Sequence, residues 1–131
     1  MSHFWKVVLL GAITVLAFDT AASWAAKELG FPYTYASVGS ALIYVIVGYF
    51  IFRQFGVVRA IGAALVVAIV DATLGWFISW QIGPGAPPAD QATVPIIAVT
   101  MVFLFVFAAA CAAIGSAIAR VLHGRRPETN A

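Results

Sequence analysis

Four long apolar runs, separated by short polar or glycine- and proline-rich segments, dominate the hydrophobic pattern of this chain. They cover residues 4–26, 35–52, 57–80 and 95–122, and a polar tail follows at 123–131. A helix needs about 20 apolar residues to cross about 30 Å of hydrocarbon, and each run has about that length or more. None of them alternates apolar with polar positions as a barrel strand does. The pattern predicts an all-α integral membrane protein, a four-helix bundle forming one membrane domain over residues 1–131.

The composition agrees with this class. Hydrophobic residues make up 63% of the chain and charged residues 9%, against about 45–50% and about 25% in soluble domains. A small soluble domain keeps much of its surface in water and has no place for so much apolar side chain. We therefore expect the lipid bilayer to be the main partner of this protein, and we expect no nucleic-acid partner.

The basic residues predict the orientation of the four spans. In a four-span layout only Lys27 falls on one side, and six basic residues fall on the other: Lys6, Arg53, Arg59, Arg120, Arg125 and Arg126. Positive charge collects on the cytoplasmic side of membrane proteins. The sequence therefore predicts a multi-pass protein of a bacterial-type inner membrane with both termini in the cytoplasm.

A short motif, Asp-x-x-x-x-Trp, occurs once in the first apolar run and once in the third. Asp19 precedes Trp24 and Asp71 precedes Trp76, so the two copies lie 52 residues apart. The second and fourth runs align at an offset of 67 residues, which pairs Gly48 with Gly115. Because both hairpins would start from the same side, we interpret the chain as a parallel duplication of a two-helix hairpin, with its axis along the membrane normal.

The two aspartates are the candidate functional residues. Counted from Lys6 and Arg59 at about 1.5 Å per residue, Asp19 and Asp71 lie roughly 18–20 Å from the basic side. A carboxyl group at that depth is costly and usually faces a helix interface or a polar cavity. No basic residue lies near that depth in the sequence, so we expect hydroxyl partners and at least one protonated carboxyl at neutral pH. The supporting polar or aromatic candidates are Thr20, Thr73, Tyr44, Trp24 and Trp76.

Other chemistry is not indicated by the sequence. The single cysteine, Cys111, lies in an alanine-rich stretch typical of a helix contact, and the histidines His3 and His123 stand at opposite ends of the chain. There is no phosphate-binding loop, no nucleophile elbow and no metal-ligand spacing. We expect no enzymatic activity, no cofactor and no metal.

Two functional hypotheses remain open at this point. The first is a small proton- or cation-coupled transporter or ion-conducting protein that uses Asp19 and Asp71 and works as a homo-oligomer, since four helices rarely enclose a pathway alone. The alternative is a non-catalytic membrane scaffold, or an accessory subunit bound to a partner subunit. An intramembrane carboxyl favours the first, because such groups commonly mark ion or proton pathways. The transported species stays open.

The topology is directly testable by cysteine labelling from one side of the membrane. We expect an impermeant thiol reagent applied from outside the cell to modify a cysteine placed at Asp90 and to leave one placed at Arg126 unmodified. Labelling of both positions, or of position 126 alone, would contradict the predicted layout.

Overall fold

The chain folds into four long helices in a computed structural model that describes residues 1–124. The predicted polar tail, with Arg125 and Arg126, lies outside the described residues from position 125 onward. The long helices are α1 (His3–Leu29), α2 (Ala36–Phe55), α3 (Val57–Ile82) and α4 (Val94–His123), and a 3-10 turn at Tyr33–Tyr35 leads into α2. Each is long and apolar enough to cross a membrane. The prediction of an all-helical chain with four potential spans is confirmed.

Glycines end the first two helices. Gly30 adopts the left-handed conformation, φ 71°, and its N–H donates to the Ala26 carbonyl. Gly56, with φ 82°, is the single residue between α2 and α3. A positive φ is strained for residues with a side chain, so glycine allows the chain to reverse within one residue. The reversal makes α2 and α3 antiparallel neighbours.

The closest backbone approach joins α2 and α4. A Cβ added at Gly48 would lie 2.6 Å from the Cα of Ala112, and one added at Gly115 would lie 2.9 Å from the Tyr49 nitrogen and collide with the Val45 carbonyl. Small residues let helices approach closely and gain dispersion contacts in a setting where lipid supplies no hydrophobic driving force. These two glycines therefore hold the second hairpin against the first.

One end of the bundle carries the basic side chains. Phe4 of α1 and Phe55 of α2 meet edge to face, with ring centroids 5.7 Å apart, which places the start of α1 beside the end of α2. Three arginines at this end lie over aromatic rings, at 5.6–5.9 Å from the ring centroid: Arg53 over Tyr49, Arg59 over Phe55 and Arg120 over Phe52. We call this the basic end, and the opposite end, which holds the segment between α3 and α4, the loop end.

The helix packing agrees with the predicted duplication at two interfaces and differs from it at another. Residues matched by the alignment face each other at two interfaces: Asp19 faces Asp71, and Gly48 and Gly115 make reciprocal contacts between α2 and α4. A twofold axis would also require α1 to pack on α4 as α3 packs on α2. Within residues 1–124 α2 and α3 pack extensively, whereas α1 and α4 do not. The duplication therefore stays a prediction from the sequence.

The α2–α4 contact predicts a stability difference between two glycine-to-alanine substitutions. Gly115→Ala should destabilise the protein by about 1–3 kcal/mol, because the new methyl group meets the α2 backbone, which has no flexible end to move aside. Gly62→Ala in α3 is the matched control, since nothing lies within 4 Å of its added Cβ, and it should be neutral or stabilising by up to about 1 kcal/mol. Denaturant titration of the purified protein in detergent micelles measures both, and equal effects would contradict the close contact.

Candidate functional site: a buried carboxyl pair

Asp19 and Asp71 lie side by side between α1 and α3. Their residues are 3% and 4% exposed, so both are buried in the protein interior. The position that a Cβ on Gly75 would occupy is under 3.0 Å from Asp19 Oδ2 and from Asp71 Oδ1. Two atoms under 3.0 Å from a common point are under 6.0 Å from each other, and the two carboxyl groups lie within hydrogen-bonding reach. The chain thus brings together the two acidic residues that the sequence predicts at equal depth.

A π-helical turn presents Asp71 to Asp19. Residues Asp71–Gly75 form this turn inside α3, and the N–H of Trp76 donates to the Asp71 carbonyl five residues back. The hydroxyl of Thr73 donates to the Ile69 carbonyl of the preceding turn at 2.7 Å. Such π-turns are rare and often occur at functional sites, because the added residue changes which way nearby side chains point.

Gly75 makes room for the pair. Any side chain at this position would start at a point that already touches an oxygen of each aspartate. In the predicted alignment Gly75 of α3 corresponds to Ser23 of α1. The two matched positions therefore differ at the point where the carboxyl groups leave the least room for a side chain. The absence of a side chain here lets α1 carry its carboxyl group against α3.

Tyr44 is the hydrogen-bond donor to the pair. Its ring is fully buried, and its hydroxyl donates to Asp71 Oδ2 in a short hydrogen bond. Among residues 1–124, the Oδ2 atom of Asp19 has no hydrogen-bond partner. No basic side chain in this part of the chain forms an ion pair with either carboxyl group. The pair therefore has one hydroxyl donor and no positive charge to balance it.

The surroundings of the pair differ towards the two ends of the bundle. One turn towards the basic end, Val15 of α1 and Val67 of α3 are fully buried and belong to the apolar core. Towards the loop end, Ser23 follows Asp19 by one turn, and Ser79 lies further along α3. The Tyr33 hydroxyl lies beside both serine hydroxyls. The pair is thus closed by hydrocarbon on one side and continued by hydroxyl groups on the other.

The remaining sequence candidates occupy other places. Thr20 is exposed and donates to the Leu16 carbonyl of its own helix, and Thr73 is exposed as well. Trp24 is 62% exposed on the surface of α1. Trp76 is half-buried and stacks on Trp80, with ring centroids 6.2 Å apart. Of the five supporting candidates, the structure brings only Tyr44 into contact with a carboxyl group.

Two side chains of this region, Tyr33 and Ser79, were missed by the sequence reasoning. Ser79 lies eight residues after Asp71, but the π-turn between them changes the helical face, and serine is common in apolar helices. Tyr33 lies in the 3-10 turn before α2, a position that the pattern assigns to a connecting segment. No cluster of three or more His, Cys, Asp or Glu side chains suited to a metal ion occurs in residues 1–124.

Comparisons of the chain with protein-family models, with curated proteins and with solved structures found no match.

The Tyr44 hydrogen bond predicts a measurable loss of stability. Tyr44→Phe keeps the ring and removes the donor, which leaves a buried carboxyl oxygen without its partner, so the free energy of unfolding should fall by about 1–3 kcal/mol. Tyr49→Phe is the matched control on the same helix, because Tyr49 contributes its ring rather than its hydroxyl to the Arg53 contact, and it should change stability by less than about 0.5 kcal/mol. Denaturant titration in micelles compares the two. A Tyr44→Phe protein as stable as its control would contradict the bond.

Proposed function

We propose that this chain is a multi-pass membrane protein, with its basic end in the cytoplasm, whose carboxyl pair reversibly binds a proton or a small monovalent cation during transport or ion conduction. The observation that carries the proposal is the burial of Asp19 against Asp71 with one hydroxyl donor between them and no ion pair in the described chain. Intramembrane carboxyl groups commonly mark ion and proton pathways. Two neighbouring carboxyl groups have the chemistry needed to bind a proton or a cation in such a pathway.

The charge of the pair supports the choice of ligand. Two neighbouring carboxylates in apolar surroundings cannot both stay ionised and uncompensated, because burial and like charge both oppose it. Helix register alone is served as well by neutral side chains, which carry no such cost. A proton bound between the two groups, or a small cation bound by their oxygens, removes the excess negative charge. Either ligand would leave when the site meets a compartment where that ligand is scarce.

The proposed working form is a homo-oligomer. The pair lies between α1, α2 and α3 of one chain, and many large apolar side chains remain on the outer surface. Lipid would cover part of this surface, and a second copy would cover the rest and help to enclose a pathway. The alternative of a scaffold or accessory subunit predicts no role for the ionisable groups themselves.

Flux measurements in proteoliposomes test the proposal. The wild-type protein should dissipate an imposed gradient of protons or of Na⁺ or K⁺ faster than empty liposomes. Asp19→Asn and Asp71→Asn should each lower this flux at least tenfold, because asparagine keeps the shape and hydrogen-bonding capacity of aspartate but cannot take up a proton or balance a cation.

The control for these variants is Asp90→Asn, which removes an exposed carboxyl group of the loop end and should leave the flux unchanged. Reaction with a hydrophobic carbodiimide, which modifies protonated carboxyl groups in apolar surroundings, should be found at Asp19 or Asp71 and not at Asp90. Wild-type protein without flux above empty liposomes, or asparagine variants with full flux, would contradict the proposal, and the second result would favour the scaffold.

A further inference from the structure

Three buried polar atoms near the loop end have no hydrogen-bond partner among the described residues. They are Asp19 Oδ2, Ser23 Oγ and Ser79 Oγ. Ser23 and Ser79 are 0% and 1% exposed, so bulk solvent does not reach them across the protein surface. An unmet buried hydroxyl or carboxyl oxygen costs free energy, and native proteins commonly satisfy such groups with an ordered water or an ion. Three of them in one region indicate something polar that belongs there.

These atoms lie on the loop side of the pair, along two neighbouring helices. Ser23 is four residues after Asp19, and residues four apart lie on the same face of a helix. Ser79 lies on α3 about two turns beyond Asp71 and one turn beyond Gly75, the residue matched with Ser23. The Tyr33 hydroxyl lies beside both serines, although no hydrogen bond of good geometry joins it to either of them. The three hydroxyl groups thus extend from the carboxyl pair towards the loop end.

A cavity of about 150 Å³ begins where these hydroxyl groups end. It lies between α3, α4 and the segment that joins them, and its lining includes Tyr33, Ser79, Trp76, Trp80, Gln91 and Thr100. At about 30 Å³ per water molecule in the liquid, this volume holds a few waters. Drug-sized ligands need about 300–1,000 Å³, so the cavity suits water and small ions rather than an organic substrate. Its lining contains no charged side chain.

The chain segment between α3 and α4 covers this cavity closely. A Cβ added at Gly85 would collide with Ser79 Oγ and lie 3.3 Å from Cε1 of Tyr33. Gly85 therefore lets the segment rest directly on the two hydroxyl-bearing residues. The cover is thin, because it consists of extended backbone and turns and not of a packed helix.

The opposite direction is closed. Val15 and Val67, one turn from the carboxyl groups towards the basic end, are 0% exposed, and Ile51, Ala60 and Ala63 near that end are equally buried. A Cβ added at Gly11 would lie 2.7 Å from Val47 Cγ2 and 3.2 Å from Val67 Cγ2, so even one methyl group lacks room there. An apolar layer packed this tightly has no space for water.

We propose that the cavity and the hydroxyl groups of Ser79, Tyr33 and Ser23 form a hydrated, one-sided access route through which a proton or small monovalent cation reaches the carboxyl pair from the loop end. This inference rests on the proposed function, which supplies the membrane and the ligand. In this conformation the ligand would therefore reach the carboxyl pair from the side of the membrane at which the loop end lies. The valine layer separates the site from the cytoplasm, so release to that side requires a different packing of α1 on α3.

Single-cysteine proteins test the route, because Cys111 is the only cysteine of the chain. On a Cys111→Ala background, Ser79→Cys and Ser23→Cys are reconstituted in sealed vesicles and exposed briefly to 2-(trimethylammonium)ethyl methanethiosulfonate, a permanently cationic reagent that does not cross the bilayer and reacts with thiols in contact with water. Intact mass gives the modified fraction. Asp90→Cys reports the fraction of molecules with the loop end outward, and Gln54→Cys reports the fraction with the basic end outward.

We expect the modified fraction of Ser79→Cys to equal that of Asp90→Cys, and Ser23→Cys to reach the same fraction several-fold more slowly. Ser116→Cys is the matched control, since Ser116 is also buried but bonds to the Ala112 carbonyl on α4, and it should stay unmodified. An unmodified Ser79→Cys alongside a reactive Asp90→Cys would overturn the route, as would a modified fraction that follows Gln54→Cys.

A substitution that introduces no cysteine tests the route independently of the labelling. Tyr33→Phe keeps the ring and removes the hydroxyl group, and we expect it to lower the flux several-fold while carbodiimide modification of the detergent-purified protein stays unchanged. Unchanged flux in this variant would contradict a role for the hydroxyl. If only the route is wrong, Asp19→Asn still lowers the flux but Ser79→Cys stays unmodified. If the proposed function is wrong, the wild-type protein shows no flux, and the cysteine modification alone then tests whether water reaches Ser79 from the loop end.

Discussion

The structure depends on one constraint: two carboxyl groups must be buried against each other, and within residues 1–124 no basic side chain pairs with them. The contact joins α1 to α3, and each group is costly in apolar surroundings. Tyr44 lowers that cost from one side by donating to Asp71. On the loop side of the pair lie the buried serines Ser23 and Ser79, and on its other side lie the buried valines Val15 and Val67.

The local features of α3 follow from the same constraint. A regular helix through Asp71 would keep one fixed set of side chains facing α1, and the π-turn at Asp71–Gly75 changes that set within five residues. Thr73 supplies a hydrogen bond to a carbonyl group of the preceding turn, and Gly75 removes the side chain that would otherwise occupy the place of the carboxyl oxygens. The irregular turn and the glycine therefore belong to one arrangement and would be expected to change together.

The architecture and the equal depth of the two aspartates could be predicted because both depend on lengths along the chain. Runs of 18 or more apolar residues predict spans, and a constant rise per residue places Asp19 and Asp71 at one level. The helix ends lie within three residues of the predicted ones, and α1 runs three residues further because the polar residues Lys27 and Glu28 still fit the last turn before Gly30.

Which faces meet could not be predicted in the same way. Helices that are apolar on all sides carry little periodic signal, so nothing in the sequence distinguishes the buried hydroxyl of Tyr44 from the exposed ones of Thr20 and Thr73. Ser79 was hidden for a second reason, because the π-turn before it shifts the face on which it lies. Equal depth allows a contact between the carboxyl groups, but the packing of small residues that brings it about becomes visible only in three dimensions.

The arginine–aromatic contacts at the basic end have a consequence for how the bundle sits in the proposed membrane. Each guanidinium group lies over a ring of the protein itself, a contact that favours one position of the charge at this end of the bundle. Sliding of the bundle into the bilayer would carry these charges into hydrocarbon, which is strongly opposed. In the proposed orientation the carboxyl pair would therefore keep a constant distance from the cytoplasmic surface, and bilayers of different thickness would be accommodated at the loop end, where Trp24 and Trp80 lie on the protein surface.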